Sequence, residues 1–167
     1  NAFHAPSVWE FLGKSALPSS DIEAKIAKDY VEKITKLSPK ARRVVDKQPL
    51  NDRYLGFAAM AVPNATFIHC VRDLRDTCLS CLSKNFDGEF GFTDTMENIA
   101  AYAKAQREHM AYWEKMFPGR IHTVAYEDVV EDIETQARRL VDTIGLDWSD
   151  DCLNYNRVSR SVKTASA

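Results

Sequence analysis

The sequence predicts an α/β layer fold, a parallel sheet flanked by helices. Short β-type runs at 44–46, 66–71 and 121–126 alternate with stretches of helical period. Each run ends on or beside a polar side chain, Lys47, Arg72 and Tyr126. Ligands of parallel sheets sit beyond the carboxyl ends of the strands, so these three residues are expected along one edge.

Bulk composition narrows the class. A chain of 167 residues with 45% hydrophobic and 28% charged residues fits a single globular domain spanning 1–167. A net charge of -2 gives no global basic field for nucleic acid, so a polyanion could be held only by a local cluster. Four cysteines are too few for a disulfide scaffold of this size. The longest apolar run is far short of a membrane span, and no signal peptide opens the chain; a cytoplasmic location is expected.

Residues 1–20 read as irregular, with breakers at Pro6 and Pro18 and an apolar cluster at Val8, Trp9, Phe11 and Leu12. Asp21 is placed to cap a helix over 22–37, whose apolar positions Ile22, Ile26, Ala27, Tyr30, Ile34 and Leu37 keep the helical period. The first strand follows at 44–46, and Pro49 forbids a central strand beyond it. Asn51 or Asp52 can cap the next helix, which carries Tyr54, Leu55, Phe57, Ala58 and Met60.

After the turn at Pro63 and Asn64 comes the strand 66–71. A charged turn, 72–75, then leads into a short amphipathic helix starting near Asp76 and carrying Ser80. Residues 86–92 read as a loop. Asp94 and Glu97 have capping-box spacing ahead of the longest helix, 95–117, with a stripe of Ile99, Ala103, Gln106, Met110, Trp113 and Phe117. Pro118 and Gly119 stop it, and the third strand runs over 121–126. Another helix spans 133–144 with Gly145 past its end. A last short one, 150–155, precedes a basic, hydroxyl-rich tail.

The chemistry concentrates at 66–83. A strand that ends in an arginine and opens onto a helix can bind an anion, through orphan N–H groups, the helix dipole and a forked guanidinium. Arg72 and Ser80 could reach one phosphate at that helix mouth. A plainer alternative pairs Arg72 with Asp73 or Asp76 and leaves Ser80 bonded to its own backbone. Lys47, at a strand end, could stabilise charge on a leaving-group oxygen, or be an ordinary solvated lysine.

Cys78 and Cys81 share C-x-x-C spacing without a redox context, and Cys70 and His69 fall on opposite faces of a strand. The cysteines read as buried small hydrophobes. His4, His69, His109 and His122 are scattered, and neither H-E-x-x-H nor G-x-x-x-x-G-K occurs; no metal site is predicted. Asp46, Asp73, Asp76, Glu127 and Asp128 supply carboxylates near the strand ends.

These residues lie in segments that resemble a known family. V-V-D-K-Q-P-L-N (44–51) and P-N-A-T-F-I-H-C-V-R-D-L-R-D-T-C-L-S-C (63–81) are similar to bacterial sulfotransferases often fused to tetratricopeptide repeats and related to tyrosylprotein sulfotransferases. W-E-K-M-F-P-G-R-I (113–121), V-A-Y-E-D-V-V (124–130), G-L-D-W-S-D-D-C-L (145–153) and S-V-K-T-A-S (161–166) follow in order.

The resemblance implies a P-loop-type sulfotransferase fold using 3′-phosphoadenosine 5′-phosphosulfate (PAPS) as sulfuryl donor to a hydroxyl or amine acceptor. It implies that Arg72 and Ser80 hold the 3′-phosphate and that Lys47 steadies the 5′-phosphate and bridging oxygen. Tyr126 is implied beside the nucleotide, and Ser166, or neighbouring Thr164, near its phosphates.

Relatives also carry a G-x-P-R-S-G-T-like phosphosulfate loop and a following glutamate base, and neither occurs in this sequence. The chain therefore looks like the central and C-terminal part of such an enzyme, supplying the 3′-phosphate half of the donor site. A catalytically inactive nucleotide- or partner-binding module of the same fold is the alternative, and an ATP-using kinase relative is a third. A homodimer or swapped strand would cover the sheet edge that an absent first strand leaves open.

Overall fold

A computed structural model describes residues 20–84 and 88–157. Its contacts divide the chain into two compact units, Asn1–Ala65 and Thr66–Ala167.

In the first unit, helix α1 (Ser20–Leu37) packs on helix α2 (Leu55–Ala61). The predicted period holds: Ile26, Ala27, Tyr30 and Ile34 are half-buried, although Leu37 at the end is exposed. The side chain of Ile22 lies outside the described residues. Leu55 and Ala59 of α2 are buried. Neither Asn51 nor Asp52 caps α2. A tight turn, Asn51–Tyr54, runs straight into the helix, and the Leu55 N–H donates to the Asp52 carbonyl in place of a side-chain cap. Leu50 enters that turn at φ 73°, a left-handed conformation strained for a leucine.

The strand expected at 44–46 does not form. A strand needs a partner for its ladder, and β1 and β2 below are the pair present among the described residues. Val44 and Val45 are 42% and 83% exposed, so no sheet covers them. The segment is anchored by a side chain instead: the Tyr30 hydroxyl of α1 donates to Asp46 Oδ2 at 2.9 Å.

In the second unit, strand β1 (Phe67–Val71) and strand β2 (Ile121–Ala125) pair in parallel, in register from Phe67↔Ile121 to Val71↔Ala125. β1 alternates as a one-sided strand should: Phe67, His69 and Val71 are half-buried, Ile68 and Cys70 exposed. This corrects the expectation that Cys70 is buried. Of the four cysteines, Cys78 alone is fully buried.

The crossover from β1 to β2 carries helix α3 (Leu74–Leu82), a tight turn (Gly88–Asp94) where a loop was expected, and helix α4 (Met96–Met116). α3 starts two residues before the expected Asp76. α4 is capped by Thr95, whose hydroxyl accepts from the Asn98 N–H at 3.2 Å, rather than by Asp94. Asp94 is the last residue of the preceding turn, so the chain first reaches the extended cap conformation at Thr95.

The α4 stripe faces inward as its period predicts. Ile99 and Met110 are buried, and Ala103, Gln106, Trp113 and Phe117 are half-buried. With Cys78 of α3 and Val124 of β2 they make the small core of this unit. Gly119 turns the chain into β2 at φ 76°, a conformation suited to glycine.

β2 ends at Ala125. Tyr126, expected to close the strand, opens helix α5 (Tyr126–Glu131), and helix α6 (Ile133–Thr143) follows behind an Asp132 cap. The two pack together, and Gly145 closes α6 at φ 67°. The Arg138 guanidinium lies 4.0 Å over the Trp148 ring and reaches Glu134 at 2.7 Å, clamping the chain that leaves α6. The expected helix at 150–155 is two tight turns, Asp150–Cys152 and Tyr155–Arg157. No described helix is long and apolar enough to cross a membrane.

Candidate functional site

The ladder stops at Val71↔Ala125, and the next residue on each strand is a predicted site residue. Arg72 and Tyr126 meet there. The Arg72 guanidinium lies 5.1 Å from the Tyr126 ring centroid, a cation–π contact at the carboxyl edge of the sheet. Both side chains are exposed.

Arg72 also donates to Asp76 Oδ2 at 3.1 Å, one turn along α3. With the partners 44% and 58% exposed, such a pair is worth roughly 0.3–0.5 kcal/mol. An incoming phosphate could displace it at little cost. Thus the plainer pairing expected for Arg72 is present, and it is compatible with an anion site.

The mouth of α3 is built differently from the expected anion trap. Asp73 is its N-cap, and its carboxylate accepts from the backbone N–H groups of Arg75 (2.9 Å) and Asp76 (3.3 Å). The Arg75 side chain closes on the same carboxylate at 3.1 Å. The Thr77 N–H continues the helix by donating to the Asp73 carbonyl. Two of the first-turn donors that could have gripped an anion, the N–H groups of Arg75 and Asp76, are therefore satisfied by an anion of the chain's own. The Arg75 hydrogen bond, then the backbone donors, hold the Asp73 carboxyl down at a pKa of about 2. That leaves the Arg72 fork as the prominent anion-competent group at this mouth.

Ser80 is exposed on α3, six residues past its start, roughly 9 Å along the axis at helical rise. Its carbonyl accepts from the Ser83 hydroxyl at 2.9 Å. Arg72 and Ser80 thus share one strand–helix unit, and both residues are exposed. Lys47 is exposed on the irregular segment anchored by Tyr30 and Asp46, in the other unit. Burial, then the hydrogen bond to Asp46 and its charge, push the Tyr30 hydroxyl up to about 12, so it stays a donor across the neutral range. Ser166 lies outside the described residues.

One partner at this edge escaped the sequence reading. The Asp73 N–H donates to Glu127 Oε1 at 2.9 Å, across 54 residues of chain. Glu127 had drawn notice only as a carboxylate near a strand end. Its pairing depends on the β1–β2 register, which no local pattern encodes. Its place directly after Tyr126 in Y-E-D, mirroring Asp73 after Arg72, was the available signal.

An uncharacterised protein of Aquifex aeolicus (strain VF5) is 35% identical over 143 residues, covering 84% of this chain and 19% of that protein. The chain therefore spans about a fifth of the relative's length. A family model described as the sulfotransferase family matches residues 13–150, which include the Lys47 segment, the β1–α3 unit with Arg72 and Ser80, and the β2–α5 junction with Tyr126. On a match of that extent, the chain belongs to the sulfotransferase family.

Proposed function

We propose that this chain provides the 3′-phosphate-binding part of the donor site of a sulfotransferase that uses PAPS and sulfurylates a hydroxyl or amine. The observation that carries the reading is the Arg72 guanidinium against Tyr126, at the carboxyl edge of a parallel sheet, tied otherwise to an exposed carboxylate that phosphate can replace.

In this reading Arg72 forks onto the 3′-phosphate, and the hydroxyl of Ser80 adds a hydrogen bond. Tyr126 holds the guanidinium from behind and offers a ring edge to the nucleotide. Lys47 has the separate role of stabilising negative charge on the oxygen that bridges phosphate and sulfur. Ser166 has the role of a further phosphate contact, on family resemblance alone. Bound PAPS supplies the sulfuryl group: its S–O bond to the 5′-phosphate breaks as a bond from sulfur to the acceptor forms. The acceptor's proton leaves to a base, and adenosine 3′,5′-bisphosphate departs.

The test is calorimetric titration of adenosine 3′,5′-bisphosphate into the wild-type chain and Arg72→Ala. Losing charge-assisted hydrogen bonds to phosphate should weaken binding about tenfold to a hundredfold. Equal affinity for the two proteins would sink the assignment.

A further inference from the structure

Beyond the last rung of the ladder, two crossings continue its register. Arg72 meets Tyr126, and the Asp73 N–H meets Glu127 Oε1 at 2.9 Å. The second crossing has a clear structural cause. In a longer ladder the N–H after the strand end would find a backbone carbonyl on the neighbouring strand. Here the neighbour has already turned into α5 at Tyr126, so its carbonyls are committed to helix bonds. The Glu127 carboxylate takes the place of that missing carbonyl.

We propose that Glu127 is a positioning residue for the 3′-phosphate grip. Its bond to the Asp73 N–H fixes the peptide plane between Arg72 and Asp73, and so the direction in which the Arg72 side chain leaves the backbone. The inference rests on the donor-site reading above. Glu127 need not touch the nucleotide; it acts through Arg72, keeping the guanidinium on the Tyr126 ring when Asp76 is exchanged for phosphate. Asp73 shows why a separate tether is needed. Its carboxylate is fully engaged by Arg75 and the helix N–H groups, which leaves its own N–H to be held from the other strand.

This role differs from a general contribution to folding in what it should disturb. Adenosine 3′,5′-bisphosphate and adenosine 5′-monophosphate differ by the 3′-phosphate, so the ratio of their affinities reports on the Arg72 grip. Glu127→Ala should weaken the bisphosphate about tenfold and leave the monophosphate within about twofold. Glu127→Gln keeps an acceptor oxygen and should stay within about threefold of wild type for both. In an Arg72→Ala background, Glu127→Ala should add no further loss. The Asp73 amide proton, followed by NMR, should move upfield in Glu127→Ala and stay near its wild-type position in Glu127→Gln.

Equal losses for both nucleotides, or losses that add fully to those of Arg72→Ala, would make Glu127 a structural residue and overturn the proposal. So would a Glu127→Gln protein that behaves like the alanine variant, or an unshifted Asp73 amide in Glu127→Ala. Failure of the underlying reading looks different. A wild-type chain that binds both nucleotides alike, or an Arg72→Ala variant with unchanged affinity, removes the grip itself and this role with it.

Discussion

At the scale of single residues, the candidate site rests on which charge is already spoken for. Asp73 uses its carboxylate on its own helix, and Arg75 uses its guanidinium on Asp73. Arg72 keeps an exchangeable partner in Asp76. The Asp73 carboxyl is held at about 2, well below its ordinary 3.8, so the folded state prefers it ionised. Its contribution to stability is complete above 3.8 and is lost as pH falls through about 2. Asp73→Asn can still cap the helix but cannot titrate. Its urea midpoint should change less across that pH window than the wild-type midpoint does. Parallel curves for the two proteins would remove Asp73 as the group responsible.

Lys47 raises the complementary question of what holds a solvent-exposed ammonium in place. The answer on hand is the bond from Tyr30 to the neighbouring Asp46. Asp46→Asn should lower the Tyr30 pKa from about 12 part of the way towards 10. It removes the carboxylate's charge and weakens the hydrogen bond, while burial, the largest cause, remains. A phenolate absorbance titration, taken as the difference from Tyr30→Phe, reads this directly. An unchanged value would show that the two side chains do not meet in solution.

Elements were legible from sequence wherever a local period or a local cap decides them, and obscure wherever pairing over distance does. The stripe from Ile99 to Phe117 announced α4 because every inward position recurs along one short stretch. Phe67 to Val71 and Ile121 to Ala125 read as strands because apolar residues run on between breakers, and they pair. Val44 and Val45 carried the same β-type chemistry and form no strand, since no described segment gives them a ladder. Tyr126 continues a β-type run from Ile121, so the sequence alone places it at the end of β2. The acidic pair Glu127 and Asp128, suited to the first turn of a helix, was the signal for α5.

The candidate site divides along the same line. Arg72, Ser80 and Tyr126 could be named from strand ends and family motifs. The self-capped mouth of α3 was half-visible, since aspartate is a preferred cap residue. Glu127 as the partner of the Asp73 N–H was hidden, because the two meet only through the parallel register.

At the scale of the whole molecule, the second unit stands on few buried side chains. Among the described residues no large side chain is completely shielded, and the inner stripe of α4 does most of the burying, with Ile99 and Met110 each 3% exposed. α4 also braces the sheet that presents Arg72 and Tyr126, because the Thr123 hydroxyl of β2 donates to Glu114 Oε1 at 3.1 Å. Met110→Ala removes packed atoms at the centre of that stripe and should cost about 2–5 kcal/mol, a large share of a typical domain's stability. Tyr112, two residues on and 52% exposed, faces the other way. Its ring keeps an edge contact with Trp113, centroids 5.0 Å apart, so Tyr112→Ala should cost about 0.5–1.5 kcal/mol, short of the Met110→Ala loss. Urea denaturation of the two variants checks the assignment of faces. A Tyr112→Ala protein that loses as much as Met110→Ala would mean that the outer face of α4 is packed in solution, and that this helix is covered on both sides.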